Sequence, residues 1–394
     1  MDQQIKGVLD QQFCARFGKA DEACRYFFAP SRINLIGEHI DYNGGLVFPC
    51  AIDIGTYAIV RANEDNVLRL YSVNLEQAGE VSFPLPEYDE TRGWVNYPVG
   101  VLRYLETLGY PSGGFDAVIC GNIPNGSGLS SSASVELLFG EIVNALFYRE
   151  QIARIELVHA GVWCENEFFG LHSGVMDQYV IGFGKKDHAM ALDTSCEEHR
   201  DVPFTLPGAS IVIMNTNKRR ELKDSKYNER RSECERALTL LQKEKPVSYL
   251  CELTSADLPL VEALEDPVLR KRARHAVTEN ARVHQAVKAL EDGDLIRLGE
   301  LLREGNDSIR EDYEVTGPEL DAITAAANAV EGCYGARMTG AGFSGCAIAI
   351  VQNEVIDAFC AQVAAAYREK TGREAHFIIS RAADGAREIF PAQE

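Results

Sequence analysis

The chain has 394 residues, 46% of them apolar, and a formal charge of −20. That length exceeds one ordinary core and makes two domains the default, while the acidic balance excludes a nucleic-acid or anionic-membrane partner, both of which need a basic face. The eleven cysteines include no Cys-x-x-Cys pair and fit neither a zinc site nor a disulfide frame. The first residues lack an apolar signal core and no apolar run could span a bilayer, so a cytoplasmic monomer is expected.

In chain order, Ile5, Val8, Leu9 and Phe13 share one side of a predicted helix over 4–17. Arg25–Pro30 then enters a loop over 34–45 that contains Gly and Asn. Ala51–Arg61 and Val67–Val73 read as strands, and Trp94–Leu108 as a helix with a buried stripe at Val99, Leu102 and Leu105. A short strand, Phe115–Cys120, leads through a Gly- and Ser-rich loop into a helix ending near Tyr148. A helix over Ile152–Phe168 precedes the segment Gly174–Gly184. Beyond the strand Ser210–Asn215, a charged stretch, Lys218–Arg231, runs into a helix over Ser232–Gln242. Residues 263–304 are helix-rich, with Val283, Val287 and Leu290 at helical spacing and a break at Gly293. Pro318 marks a helix start. The strand Cys346–Val351, the helix Val355–Lys370 and the strand Glu374–Ser380 close the chain. No repeat and no strict βαβ alternation emerges, so the fold class is α+β in two domains, 1–205 and 206–394.

Five segments stand out. Gly126-Ser127-Gly128-Leu129-Ser130-Ser131-Ser132 lies between a strand and a helix. Unpaired amides and the dipole at such a helix start attract phosphate. It lacks the Lys of a Walker loop and the third glycine of a dinucleotide fingerprint. Read alone, it is equally a serine-capped helix. Arg32–Gly45 sets Glu38, His39 and Asp41 among Ile33, Leu35 and Ile36, a polar set able to read sugar hydroxyls, held by apolar anchors. Gly174-Val175-Met176-Asp177-Gln178 places a carboxylate in an apolar context, twelve residues after Glu165. A kinase needs one acid at the acceptor hydroxyl and another for Mg²⁺; from spacing alone, a helix cap and a surface acid explain the pair better. Asn215–Arg220 with Tyr227 is a basic stretch, and Gly340–Cys346 is a second glycine-rich turn suited to supporting a neighbouring loop.

Taken together, these segments resemble the GHMP kinase superfamily and, within it, the galactokinase family. Arg32–Gly45 is similar to that family's signature loop, Gly126–Ser134 to the phosphate loop and Met338–Cys346 to the third motif; Asp177 and Tyr227 fall in two further matching stretches. The resemblance spans nearly the whole chain. Ala341 and Ser344 depart from it, standing where many members have glycine.

The resemblance implies an ATP-dependent sugar kinase with an N-terminal domain like that of ribosomal protein S5 and a C-terminal ferredoxin-like domain. By it, Arg32 and Asp177 are catalytic, and Glu38, His39, Ile40, Asp41, Gly174 and Tyr227 bind the sugar. Gly126 to Ser132 wrap the ATP phosphates, Trp94 and Ser72 contact the nucleotide, and Ser132 with Glu165 hold Mg²⁺. Galactose is the expected substrate. The alternatives are N-acetylgalactosamine or another sugar as acceptor, and a silent sugar sensor; the complete serine run with Arg32 and Asp177 favours an enzyme.

Overall fold

The computed structural model describes residues 3–124, 126–218 and 223–389. Its strands are β1 (Arg25–Asn34), β2 (Leu46–Val47), β3 (Pro49–Ala62), β4 (Val67–Ser72), β5 (Gln77–Ser82), β6 (Phe115–Gly121), β7 (His188–Asp193), β8 (Glu198–Pro203), β9 (Ala209–Asn215), β10 (Cys333–Met338), β11 (Cys346–Gln352), β12 (His376–Ser380) and β13 (Arg387–Ile389). They form a six-stranded sheet in the order β13-β1-β3-β6-β4-β5, a four-stranded sheet β10-β11-β9-β12 and a three-stranded sheet β2-β7-β8. Every pairing is antiparallel except that of β4 with β6.

The six-stranded sheet is covered on both faces, and its residues divide by the two-residue period of a strand. Tyr26, Ile59 and Val118 point to a small core shared with Leu9 and Phe13 of the N-terminal helix, Gln3–Phe17. Their neighbours Phe27, Ala58, Val60, Ala117 and Ile119 point to the main core, which includes Leu137, Phe139 and Ile142 of the helix Ser131–Phe147. This double burial explains why β1 is buried at nine successive positions, Tyr26 to Asn34, including Ser31 and Arg32. The pairing of β1 with β3 shifts register between Pro30 and Ser31. Such a bulge bends a strand and re-aims the side chains that follow, and the next residue is Arg32.

The structure departs from the sequence reading in several places. Strands β5, β7, β8, β10 and β13 have no counterpart in it. β5 and β8 are largely exposed and polar, which gives a weak apolar alternation. The expected helix over Ile152–Phe168 is an α-helix, Arg154–Trp163, followed by a π-turn, Cys164–Phe168, that carries Glu165. Single π-turns concentrate at functional sites because the extra residue turns a side chain out of register. Trp94 sits in a 3-10 turn, Glu90–Val95, and the helix proper starts at Asn96. The charged stretch is helical from Lys223 onward, within Lys223–Leu241; Arg219 and Arg220 lie outside the described residues.

After β12 the chain crosses back: the Ala383 amide donates to the Ala51 carbonyl at 2.9 Å, and β13 pairs with β1. The last strand therefore belongs to the sheet that contains the first. A helix-rich segment, Pro267–Glu291 and Leu295–Ser308, packs between the signature loop and β10.

Candidate active site

β1 delivers Arg32, and the helix Met176–Phe183 delivers Asp177 from its first turn. The guanidinium meets the carboxylate side-on: Nε lies 2.7 Å from Oδ1 and Nη2 2.7 Å from Oδ2. This is the bidentate geometry that makes arginine–carboxylate pairs strong and directional. The remaining nitrogen, Nη1, donates to the Gly128 carbonyl at 3.1 Å. One arginine thus ties the Asp177 carboxylate to the serine loop.

The loop turns through left-handed glycines, Gly126 (φ 69°) and Gly128 (φ 77°), then through Ser130 (φ 54°), before the helix Ser131–Phe147 begins. A non-glycine residue held there signals a constraint, and in Ser130 the constraint is visible: its hydroxyl donates to Asp177 Oδ2. The Ser31 hydroxyl holds the loop from below through the Leu129 carbonyl. The second glycine turn presses from the side. A Cβ on Gly340 would lie 2.8 Å from the Gly128 carbonyl oxygen, and one on Gly345 2.5 Å from that of Ser127. Only glycine permits this approach.

On the far side of the loop, the Ser132 hydroxyl donates to Glu165 Oε1 at 2.8 Å and the Ser173 hydroxyl to Oε2 at 2.7 Å. Burial raises Glu165 above the usual carboxylate range, and Asp177 adds to this against the pull of the serine hydrogen bonds. The pair offers oxygen donors of the kind Mg²⁺ takes, one carboxylate and one hydroxyl, with positions left for phosphate and water. The chemistry of this donor set fits the metal.

The signature loop forms the opposite wall. The Asp41 carboxylate sits against the Gly174 backbone so closely that a Cβ on Gly174 would be 2.0 Å from Oδ2. Burial, and then the charge of Asp177, push Asp41 up to about 6. His39 is neutral, held down to about 3 chiefly by burial. Its Nε2–H donates to the Ala341 carbonyl at 3.1 Å, so Nδ1 is the acceptor and takes the Tyr42 hydroxyl at 2.9 Å. Tyr42 in turn meets the Tyr313 hydroxyl at 2.7 Å. The Tyr227 ring centroid lies 5.5 Å from that of His39.

These walls line one open-mouthed cleft. Carboxylates and hydroxyls line one end and the serine loop the other, so the cleft can hold a polyol beside a phosphate chain.

Comparison with known proteins gives the same reading. Residues 11–62 match the galactokinase galactose-binding signature, 96–185 the GHMP kinases N terminal domain and 286–369 the GHMP kinases C terminal domain. The chain is 51% identical to a galactokinase of Enterococcus faecalis (strain ATCC 700802 / V583), covering 98% of this chain and 100% of that one. It is 49% identical to a galactokinase of Lactiplantibacillus plantarum, covering 97% and 99%. The crystal structure of Lactococcus lactis galactokinase complexed with galactose superimposes with a TM-score of 0.94 at 43% identity, covering 98% and 100%. The chain belongs to the galactokinase family. It is an ATP-dependent sugar kinase with the two-domain GHMP fold.

Most residues expected of a galactokinase-family site meet in this one cleft: Arg32, Glu38, His39, Asp41, Gly126, Gly128, Ser130, Ser131, Ser132, Glu165, Gly174, Asp177 and Tyr227. Others do not line it. Ile40 is fully buried as an apolar anchor of its loop, and Leu129 is 1% exposed beneath the serine loop. Ser127 is buried too, and its hydroxyl has no partner among the described residues. The Trp94 ring packs in the core, 6.4 Å from the Phe139 centroid. The Ser72 hydroxyl accepts the Leu75 amide in a turn at the end of β4. Conversely, the sequence reading gives no role to Tyr42, Tyr313 and Arg337. Tyr42 lies inside the signature loop and Arg337 adjoins the third motif, so adjacency is the available signal; for Tyr313, in a π-turn, there is none.

The folded value of Asp41 exceeds that of the unfolded chain, so its ionisation opposes folding above about pH 6, and this cost fades as pH falls towards the ordinary aspartate range. Asp41→Asn is therefore expected to melt at a higher temperature than wild type at pH 8. Scanning calorimetry down the pH scale should show the gap narrowing through pH 6; a gap independent of pH would contradict the burial account.

Proposed function

We propose that this chain transfers the γ-phosphoryl group of ATP to the anomeric C1 hydroxyl of galactose, giving galactose 1-phosphate and ADP, as a cytoplasmic monomer. What carries this reading is the clasp of Asp177 by Arg32 and Ser130 at the meeting point of the serine loop and the signature loop. It puts an acid, a cation and a phosphate-binding helix start around one point, beside the polyol-reading end of the cleft. The printed names of the relatives support galactose as the sugar. Two domains, cut near residue 205 with β13 returning to the first sheet, would put this cleft at their junction.

Phosphoryl transfer is mainly positioning and charge neutralisation. Asp177 accepts the proton of the C1 hydroxyl as that oxygen bonds to phosphorus; the bond from phosphorus to the bridging oxygen of ADP breaks, and ADP leaves with the electron pair. Arg32 meets the equatorial phosphoryl oxygens. The backbone from Gly126 to Ser132 wraps the remaining phosphates with its amides at the helix start. Ser132 and Glu165 would hold Mg²⁺, which when bound neutralises phosphate charge. At the other end, Asp41 and Glu38 read the ring hydroxyls, with His39 and Tyr227 as walls. Asp41 is the candidate for the 4-hydroxyl, the one position that separates galactose from glucose.

No helix among the described residues is long and apolar enough to cross a membrane, and no cysteine among them is in a disulfide.

Two outcomes test the roles. Asp177→Asn should retain ATP and galactose binding by calorimetry and lose about 10²–10⁴-fold in kcat; a kcat near wild type removes Asp177 from the chemistry. Ser132→Ala and Glu165→Ala should each raise the Mg²⁺ concentration needed for half-maximal rate while leaving the galactose KM close to wild type. Magnesium titrations that overlay wild type in both variants refute the metal assignment.

A further inference from the structure

Glu38 differs from the other carboxylates of the cleft in what holds it. It is 1% exposed. Its Oε2 accepts a hydrogen bond from Nη2 of Arg337, at the end of β10. Glu38 lines the cleft, and its Oε1 is buried with no partner among the described residues. In Asp177, by contrast, protein donors occupy both oxygens.

Arg337 is itself fixed. Its Nη2 lies 2.9 Å from Glu279 Oε1. That same oxygen accepts the Gly37 amide at 3.0 Å, and Glu279 Oε2 accepts from Arg282 Nε at 2.8 Å. Two buried acids thus face two arginines, the balance that buried charge requires. Burial would raise Glu279, but Arg337 and Arg282 outweigh it and hold the group well below the usual carboxylate range. Gly305 closes the back of the guanidinium: a Cβ there would sit 2.5 Å from Nη1. The backbone on either side of the Glu38 Cα is gripped as well. His275 Nε2–H donates to the Glu38 carbonyl at 3.1 Å, and its Nδ1 accepts the Ser308 hydroxyl at 2.9 Å. Gly37 stands at φ 107°, reserved for glycine.

We propose that Arg337 is a positioning residue for sugar recognition, gripping one oxygen of Glu38 so that the other stands bare towards a substrate hydroxyl. This rests on the reading of the cleft as a galactose site. Helix Pro267–Glu291 and β10 supply every side chain that grips Glu38 and Gly37, so the signature loop reads its sugar only when the later part of the chain is packed against it. A bare buried acceptor is satisfied by a hydroxyl and left unpaired by an analogue that lacks it, which is how a fixed polar group discriminates. Burial pushes Glu38 up to about 7 against the pull of Arg337, in keeping with an oxygen that the protein leaves unsatisfied.

The test is calorimetric binding of galactose and of its 2-, 3-, 4- and 6-deoxy forms to wild type and Arg337→Lys, with the ATP KM as control. Lysine keeps the charge but cannot reproduce the planar grip. The expected result is about a tenfold weaker galactose Kd, an unchanged ATP KM, and one deoxy sugar that both proteins bind equally. Unchanged galactose affinity, or the same loss for every deoxy sugar, overturns the proposal, since a general loosening of the fold would not single out one hydroxyl. If Arg337→Lys does not melt cooperatively, Glu279→Gln is read in the same way, because it keeps an acceptor for Gly37 and loosens Arg337; a selective loss supports the grip and no selectivity overturns it. Wild-type protein that does not bind galactose overturns the underlying reading, and this inference with it.

Discussion

The pairing of Arg32 with Asp177 is the constraint on which the site depends. The arginine side chain is 4% exposed and the aspartate 29%, so the arginine is buried and needs its partner. A buried charge that loses its counter-ion costs about 3–5 kcal/mol. Each strut of the site meets this pair. The bulge in β1 aims Arg32, the helix at Met176 presents Asp177, Gly128 gives a carbonyl to the guanidinium, and Ser130 takes a strained backbone angle to reach the carboxylate. Sheet, serine loop and the helix of Asp177 are thereby fixed relative to one another before any substrate arrives. That preorganisation is what phosphoryl transfer asks of a protein.

Around the pair the cleft gathers acids rather than neutralising them. Asp41 and Glu165 are both raised, by burial first and by Asp177 after it, and Glu136 behind them is raised well above its ordinary range by burial and by Glu165. Such a set opposes folding at neutral pH, and on the proposed function its use lies in binding a magnesium-bearing nucleotide and a hydroxyl-rich sugar. The protein offsets part of the cost with short-range geometry: two serine hydroxyls on Glu165, and Gln178 donating to Glu136 at 2.9 Å. The second glycine turn contributes by shape alone, lying where any side chain would collide with the serine loop.

The sequence made the site more legible than the fold. The serine loop, the polar signature loop and Asp177 combine unusual residue types at short spacing, and their order along the chain pointed to one family. What stayed hidden has physical causes. β8 is mostly exposed and β5 has one buried position, so no apolar alternation marks them. The π-turn that carries Glu165 looks like continuous helix in sequence because Cys164 and Phe168 extend the helical spacing of the buried Leu157, Ala160 and Gly161. Arg337 and Glu279 lie 58 residues apart and act on a third residue near the N-terminus; local spacing contains no trace of such an arrangement. Trp94 entered only through the family resemblance, and its ring packs beside Phe139.

The most direct measurement of the account is kcat/KM for galactose, glucose and N-acetylgalactosamine under saturating magnesium and ATP. Asp41 against Gly174 leaves a carboxylate at one fixed place in the sugar end of the cleft, and a hydroxyl turned away from it leaves a buried group unpaired, at a cost of about 1–3 kcal/mol. The account predicts a strong preference for galactose over both other sugars, with the acetamido group excluded by crowding near Tyr227 and Gly174. An equal or higher value for N-acetylgalactosamine would contradict it.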